Sequence, residues 1–416
     1  MLHNIDSQTI SRLEDHLNSG LPFYLDLLRQ MVGINSFTAN GLGVNALADL
    51  TAEAFAELGF SAEKVQCTVP IYGKHLVLAR PGRSDRKIGL ISHLDTVFPL
   101  DEEIEQNFVW RPAGDRIYGP GTMDIKGGTV MIYMMLAALK EVLPQLFDEI
   151  TWVVLLNAAE ETVVQDFPEL CLQHLAGKCL ACLVFEAGFL EEKKALVVVA
   201  RKGMALYRVE AEGRGAHAGS NHSQGASAIV QLARTIQQID SLTDHERNIT
   251  FNVGTVAGGT VLNRVPHYAV ASGEMRAFST DVYEAGLARL LALRDQVNVR
   301  SPADGFPCRI SINIIHQTPH WYRNSVTDRL LGIWQQAAGQ IGMQLFPEER
   351  GGLSDGNQLW SRIPTIDGLG PAGRNAHCSE HSEDGKKEQE YVLVPSFVPK
   401  ALLNILAVER LIASKE

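Results

Sequence analysis

The chain has 416 residues, 45% apolar and 20% charged, a globular balance with length for two domains and two cores. A net charge of −11 argues against a nucleic-acid or anionic-membrane surface as the main partner. No apolar run approaches the ~20 residues of a membrane span. The opening MLHNIDSQTISRLEDHL has early acids and no unbroken apolar stretch, so it does not read as a secretory signal. Six scattered cysteines suit reduced thiols in the cytoplasm.

Taken in chain order, LPFYLDLLRQMVGI and VNALADLTAEAFAELGF carry apolar residues at helical spacing. KIGLISHLD reads as a buried strand that empties into His93 and Asp95. An acid two residues after an imidazole can fix its tautomer for metal binding, although a polar turn holds the same pattern. Asp124 follows in YGPGTMDIKGG, where glycines permit tight turns around the carboxylate. It is either a bridge between two cations or the N-cap of the apolar helix GGTVMIYMMLAALKEVL, which Pro144 should stop.

TWVVLLNAAE is a second buried strand and places Glu160 and Glu161 at its end. Adjacent buried carboxylates are costly without protons or metal, so one can ligate while the other serves as a base; a solvated helix start is the alternative. CLACLVFEAG is a third strand, with Glu186 at its mouth. Its Cys179 and Cys182 should point to opposite faces, which favours core packing over a redox or metal pair.

From about residue 200 the signals change to β–α–β–β–α–β: ALYRVEAE, SQGASAIVQLARTIQQI, ITFNVGTVAGG, YAVASGEMRAF, YEAGLARLLALRDQV and CRISINIIH. This predicts a small α+β, ferredoxin-like domain over 201–317. It is inserted into a doubly wound, mainly parallel α/β domain formed by 1–200 and 318–416. The later half carries His377 in GRNAHCSEH, with His381 as a rival, and the polar segment HSEDGKKEQE reads as a solvated loop. Carboxyl ends of parallel strands open into one crevice, where His93, Asp124, Glu160, Glu161, Glu186 and His377 can converge.

These motifs, in this order, resemble the di-zinc aminoacylase and carboxypeptidase family, which includes acetylornithine deacetylase and glutamate carboxypeptidase. SHLDTVFP, YGPGTMDIKGG, NAAEET, VFEAG and GRNAHCSE match its metal motifs, GRGAHAGS its inserted-domain histidine, and ERGGLSDGN the glutamate-carboxypeptidase branch. The resemblance implies two divalent ions per chain, zinc first, with cobalt or manganese as alternatives. Asp124 would bridge them, His93 and Glu186 hold one, and Glu161 and His377 the other. It also implies Glu160 as general base, Asp95 as partner of His93, and His217 as an oxyanion donor from the other subunit of a homodimer. Asn263, Arg276 and Arg350 would contact the substrate. Ala159, Val163 and Val164 depart from the family's usual Asp before and Gly-Ser after the glutamate pair, and the link from His377 to Glu390 is longer than usual.

The expected activity is a metallocarboxypeptidase releasing a C-terminal, glutamate-like amino acid from a small peptide. The alternatives are a deacylase of N-acyl amino acids, whose substrate also carries a free carboxylate, and a non-catalytic binding protein on the same fold.

Overall fold

The computed structural model describes residues 5–162, 164–382 and 384–414. The chain divides into two compact units. The larger comprises residues up to Val199, Arg323–Glu349 and those from Ser354 onward; the smaller comprises Ala200–Tyr322 with Arg350–Leu353.

The larger unit is built on a six-stranded sheet. Its strands are β1 (Ser61–Gln66), β2 (Lys74–Arg80), β3 (Arg86–His93), β4 (Thr151–Asn157) and β5 (Lys178–Val184), with a short strand at Thr365–Ile366. The order is β1-β2-β4-β3-β5 followed by Thr365–Ile366. Neighbours from β4 onward run parallel, while β1 and β2 are antiparallel additions at one edge. Side chains alternate between two apolar layers. Leu90, Trp152, Val154 and Leu183 face helices that include Ser7–Val32, Lys126–Val142 and Phe397–Ala413. Ile91, Val153, Leu155 and Val184 face a smaller layer with Phe167 and Cys171. A sheet covered on both faces explains why its strands read as nearly continuous apolar runs.

Strand register brings the site together. His93 lies opposite Asn157, and Ile91 opposite Val184, so β3, β4 and β5 end almost level. The residues that follow them share one rim. Gly128 lets the Lys126–Val142 helix approach β5 closely, since a Cβ there would meet the Phe185 carbonyl oxygen at 2.1 Å. A second, four-stranded sheet joins Arg111–Ala113, Arg116–Tyr118, Gly373–Arg374 and Tyr391–Leu393. Tyr391 pairs with Tyr118, which sets the Asp124 turn beside the His377 loop.

The smaller unit has its own core around Tyr207, Leu232, Met275 and Leu290. Its strands β6 (Gly203–Glu212), β7 (Thr250–Gly258), β8 (Tyr268–Ala277) and β9 (Arg309–Thr318) form an antiparallel sheet in the order β7-β8-β6-β9. Helices Ala228–Asp240 and Thr280–Ala292 connect them, completing the ferredoxin-like arrangement.

Three local features differ from the sequence reading. The first helix begins at Ser7, capped by Asp6, and continues through Pro22. The hairpin of β1 and β2 was not legible. In β5 the register against β3 slips between Cys179 and Ala181, leaving Leu180 as an extra residue. This bulge cancels the expected alternation, and Cys179 and Cys182 both pack toward the Phe167 layer. They are nevertheless free thiols, and burial pushes Cys179 up to about 11 and Cys182 well above the usual thiol value. Val163, one of the family departures, lies outside the described residues. Among the described residues, no helix is long and apolar enough to cross a membrane.

Candidate metal centre

At the rim of the large sheet, Asp124 offers one carboxylate oxygen to each of two imidazoles. Its Oδ1 lies 3.0 Å from His93 Nε2 and its Oδ2 3.3 Å from His377 Nε2. Glu186 Oε1 stands 3.9 Å from His93 Nε2, and Glu161 Oε2 is 3.2 Å from His377 Nε2. His93, Asp124 and Glu161 thus present ligand atoms within 4.8 Å of one another. The exposed His381 makes no such contact among the described ones; His377 is the ring that pairs with Asp124 and Glu161.

The donor chemistry fits cations. Asp124, Glu161 and Glu186 crowd two imidazoles, with the Glu160 carboxyl close by, an excess of acids over imidazoles that cations would relieve. His93 Nδ1 lies 3.0 Å from the Asp95 carbonyl oxygen, which can only accept; Nδ1 therefore carries a proton, and Nε2 is the nitrogen that would turn to a metal. Burial opposes a charge on His93, yet contacts with Asp124 and Asp95 raise it well above the ordinary imidazole value. For His377, the Asp124 and Glu161 carboxylates push the ring up to about 11. For Asp124, burial is outweighed by the two rings, which hold its carboxyl below the usual range. Burial raises Glu160 and Glu161, and in Glu160 the nearby Glu186 and Glu161 charges add to it.

The supports of the glutamate pair are explicit. Asp95 Oδ1 accepts the Glu160 N–H at 3.0 Å, and Oδ2 accepts the Glu161 N–H at 3.2 Å and the Thr38 hydroxyl at 2.6 Å. The Asp95 carboxylate comes within 3.4 Å of His93 Nδ1, but its shorter contacts go to Thr38 and to this backbone. Ala159 is buried, and its N–H goes to the Asn157 side chain. Val164 is half-buried.

Sequence reasoning missed two buried carboxylates. Glu390 Oε1 accepts the Met123 and Asp124 N–H groups at 3.0 and 3.3 Å, which fixes the backbone at Asp124. The Glu390 N–H bonds to the Cys378 carbonyl at 2.8 Å, beside His377. His377 itself has a φ of 65°, a conformation that residues with side chains rarely adopt. Burial, then the Asp124 charge, pushes Glu390 up to about 8. Asp355 accepts the Asn157 amide at 2.9 Å and is pushed up to about 7, chiefly by burial. Asp355 could have been found as a lone acid in a glycine-rich stretch, whereas Glu390 sits among charged residues and carried no local signal.

The remaining sequence candidates lie in the smaller unit. His217 is exposed, and its Nδ1 accepts the Gly219 and Ser220 N–H groups at 3.1 Å each. Nε2 therefore bears the proton and is a hydrogen-bond donor. The Ala218 N–H bonds to the Asn263 carbonyl at 2.9 Å, setting Asn263 beside this loop. Arg276 is engaged bidentately by Glu274, with two bonds of 2.9 Å, and reaches the Gly351 carbonyl at 3.2 Å. The Lys202 N–H bonds to the Arg350 carbonyl at 3.1 Å. Burial and the Arg276 charge lower the Lys202 ammonium below its ordinary value. Lys202, absent from the sequence reading, thus joins Arg276 and Arg350 around one turn.

A family model described as peptidase family M20/M25/M40 matches residues 89–392. The chain belongs to that family. Family membership makes it a metal-dependent peptidase or amidohydrolase. It is 26% identical to carboxypeptidase G2 of Pseudomonas sp. (strain RS-16) over 367 residues, 86% of this chain and 84% of that protein. Among solved structures, a tripeptidase from Staphylococcus aureus superposes with a TM-score of 0.73 at 20% identity, covering 94% of this chain and 98% of the other. A protein from Bacillus subtilis described as a dinuclear metal-binding M20 peptidase has a TM-score of 0.62 at 14% identity, covering 93% and 98%. At these identities the structural likeness speaks for the fold.

Proposed function

We propose that the protein is a two-metal carboxypeptidase that hydrolyses the amide bond before a C-terminal, glutamate-like amino acid. The observation that carries this reading is the division of Asp124, one oxygen toward His93 and one toward His377. His93 and Glu186 would hold one divalent ion, Glu161 and His377 the other, with Asp124 shared and zinc favoured by the mixed imidazole and carboxylate donors. Such a pair of ions supplies Lewis acidity toward the amide carbonyl and lowers the pKa of the attacking water toward ~7.

The protein's own residues do the rest. Glu160 is the general base: it is half-buried beside the ligands, held by its N–H to Asp95, and takes a proton from the water. It then returns that proton to the departing amine. His217, an Nε2–H donor, stabilises the oxyanion. Lys202, Arg276 and Arg350 supply positive charge for the carboxylates of the released residue.

We further read the protein as a homodimer in which His217 serves the partner's site. β7 is an edge strand, and Ile229, Val230, Val256, Val261 and Leu262 expose apolar side chains in the smaller unit. An open edge with apolar neighbours favours pairing about a two-fold axis. Mixing His217→Ala and Glu160→Gln chains should restore activity through heterodimers that hold one intact site. No recovery despite proven subunit exchange rejects action in trans.

The activity itself is tested by screening zinc-loaded protein against folyl-glutamate, peptidyl-glutamates, other dipeptides and N-acetyl amino acids. Release of glutamate supports the carboxypeptidase. Turnover confined to N-acetyl amino acids replaces it with the deacylase.

A further inference from the structure

A second group of potential metal ligands lies behind the site. Cys67, His75 and Asp166 bring ligand atoms within 4.8 Å of one another, and Cys67 and His75 are fully enclosed. The hydrogen bonds decide what this cluster can do. His75 Nδ1 accepts the Ala158 N–H at 3.1 Å. An amide N–H can only donate, so Nδ1 carries no proton and Nε2 must carry it. Nε2 lies at an ion-pair distance of 3.2 Å from Asp166 Oδ1, and among the described residues neither atom makes a well-aligned hydrogen bond. Asp166 is anchored in turn, its Oδ2 accepting the Thr68 N–H at 2.6 Å. A metal on Nε2 would require both ring nitrogens to be unprotonated, whereas a ligating histidine normally donates its other N–H. The ring also packs on Phe167, with centroids 5.3 Å apart.

Ala158 begins the short segment that ends in the glutamate pair. From Ala158 to Glu161, four successive backbone N–H groups are each received by a side chain: His75, Asn157, Asp95 and Asp95 again. Each acceptor has its own brace, Asp166 for His75, Asp355 for Asn157 and Thr38 for Asp95. The segment leaves β4 without strand partners of its own, so these side chains set where the Glu160 carboxylate stands.

We propose that His75, held in its Nε2–H form by the Ala158 N–H and paired with Asp166, is a positioning residue for Glu160 and that the Cys67–His75–Asp166 cluster binds no metal. The proposal rests on the reading of Glu160 as the base. His75 acts through the Ala158 N–H and touches neither substrate nor ion. Asparagine at this position keeps an acceptor oxygen where Nδ1 lies; leucine fills the space and offers none.

His75→Leu should lower kcat by about 10²-fold through misplacement of the base, with KM and the content of tightly bound zinc unchanged. His75→Asn should regain most of that loss. A purely structural role would instead show as lowered melting temperature with both variants equally impaired. ¹⁵N-histidine NMR of the wild-type protein, with the His75 signal assigned by its absence in His75→Asn, should show the Nε2–H tautomer before and after zinc is added. Equal losses in the two variants, an effect on KM alone, an Nδ1–H tautomer, or loss of a bound ion in Cys67→Ala would each overturn the proposal. Wild-type turnover in Glu160→Gln would remove the base assignment instead, and the tautomer measurement separates the two failures.

Discussion

Replacing Asp95 with asparagine tests how the catalytic pair is held. Asp95 is 1% exposed and receives three hydrogen bonds, from Thr38 Oγ1 at 2.6 Å, Glu160 N at 3.0 Å and Glu161 N at 3.2 Å. Asparagine keeps one acceptor oxygen. With that oxygen in the place of Oδ2, the Thr38 and Glu161 bonds survive in neutral form, and the new amide nitrogen faces the Glu160 N–H, donor against donor. Losing one bond to a charged acceptor costs about 1.5–3 kcal/mol, and neutralising the other two about 1 kcal/mol more each. The sum is about 4 kcal/mol, or a melting temperature lowered by roughly 8 °C for a unit of this size. Displacement of Glu160 should also reduce kcat by ~10²-fold. Calorimetry and steady-state kinetics on the zinc-loaded variant read both effects. An Asp95→Asn protein that melts and turns over like wild type would refute the clamp. Thr38→Val supplies the graded control, since it removes one bond and leaves both amides held.

Glu160→Gln should retain its metal, by elemental analysis, while turnover falls by ~10²–10⁴; near-normal turnover would place the base elsewhere. His377 is pushed up to about 11 by Asp124 and Glu161 and must lose its proton to ligate. Zinc binding therefore displaces a proton, and affinity should rise by about tenfold per pH unit between about pH 6 and about pH 8. Calorimetric titration of stripped protein showing equal affinities across that range would contradict this. Amidating the substrate's α-carboxylate should reduce kcat/KM by 10²-fold or more if Arg350, Arg276 and Lys202 bind that group as proposed; equal rates on acid and amide would exclude the clamp.

Sequence legibility followed range. His93, the Glu160–Glu161 pair and Glu186 were visible because each ends an apolar run, and the run itself marks a strand of the covered sheet. The β–α–β–β–α–β order of the smaller unit was visible for the same reason. Contacts set by register were hidden. His75 reaches Ala158 only because β2 pairs antiparallel with β4, and nothing local in KHLVLAR announces that pairing. Glu390 reaches the Met123 and Asp124 amides only because Tyr391 pairs with Tyr118. The bulge at Leu180 put on one face two cysteines expected on opposite faces, because alternation counts residues and cannot see a slipped register.

Asp124 stands between a ligand made early and one made late. On the ribosome, His93, Asp124, Glu161 and Glu186 all emerge before the smaller unit is translated, and His377 only after it. At ~5–20 residues per second, the interval from Glu186 to His377 lasts roughly 10–40 s. During that time the nascent chain holds four acidic or imidazole donors and half a cradle, while Ala200–Tyr322 has time to form its own core. On the proposed two-metal reading, a second ion could be held only once His377 and Glu390 have been made, near the end of synthesis.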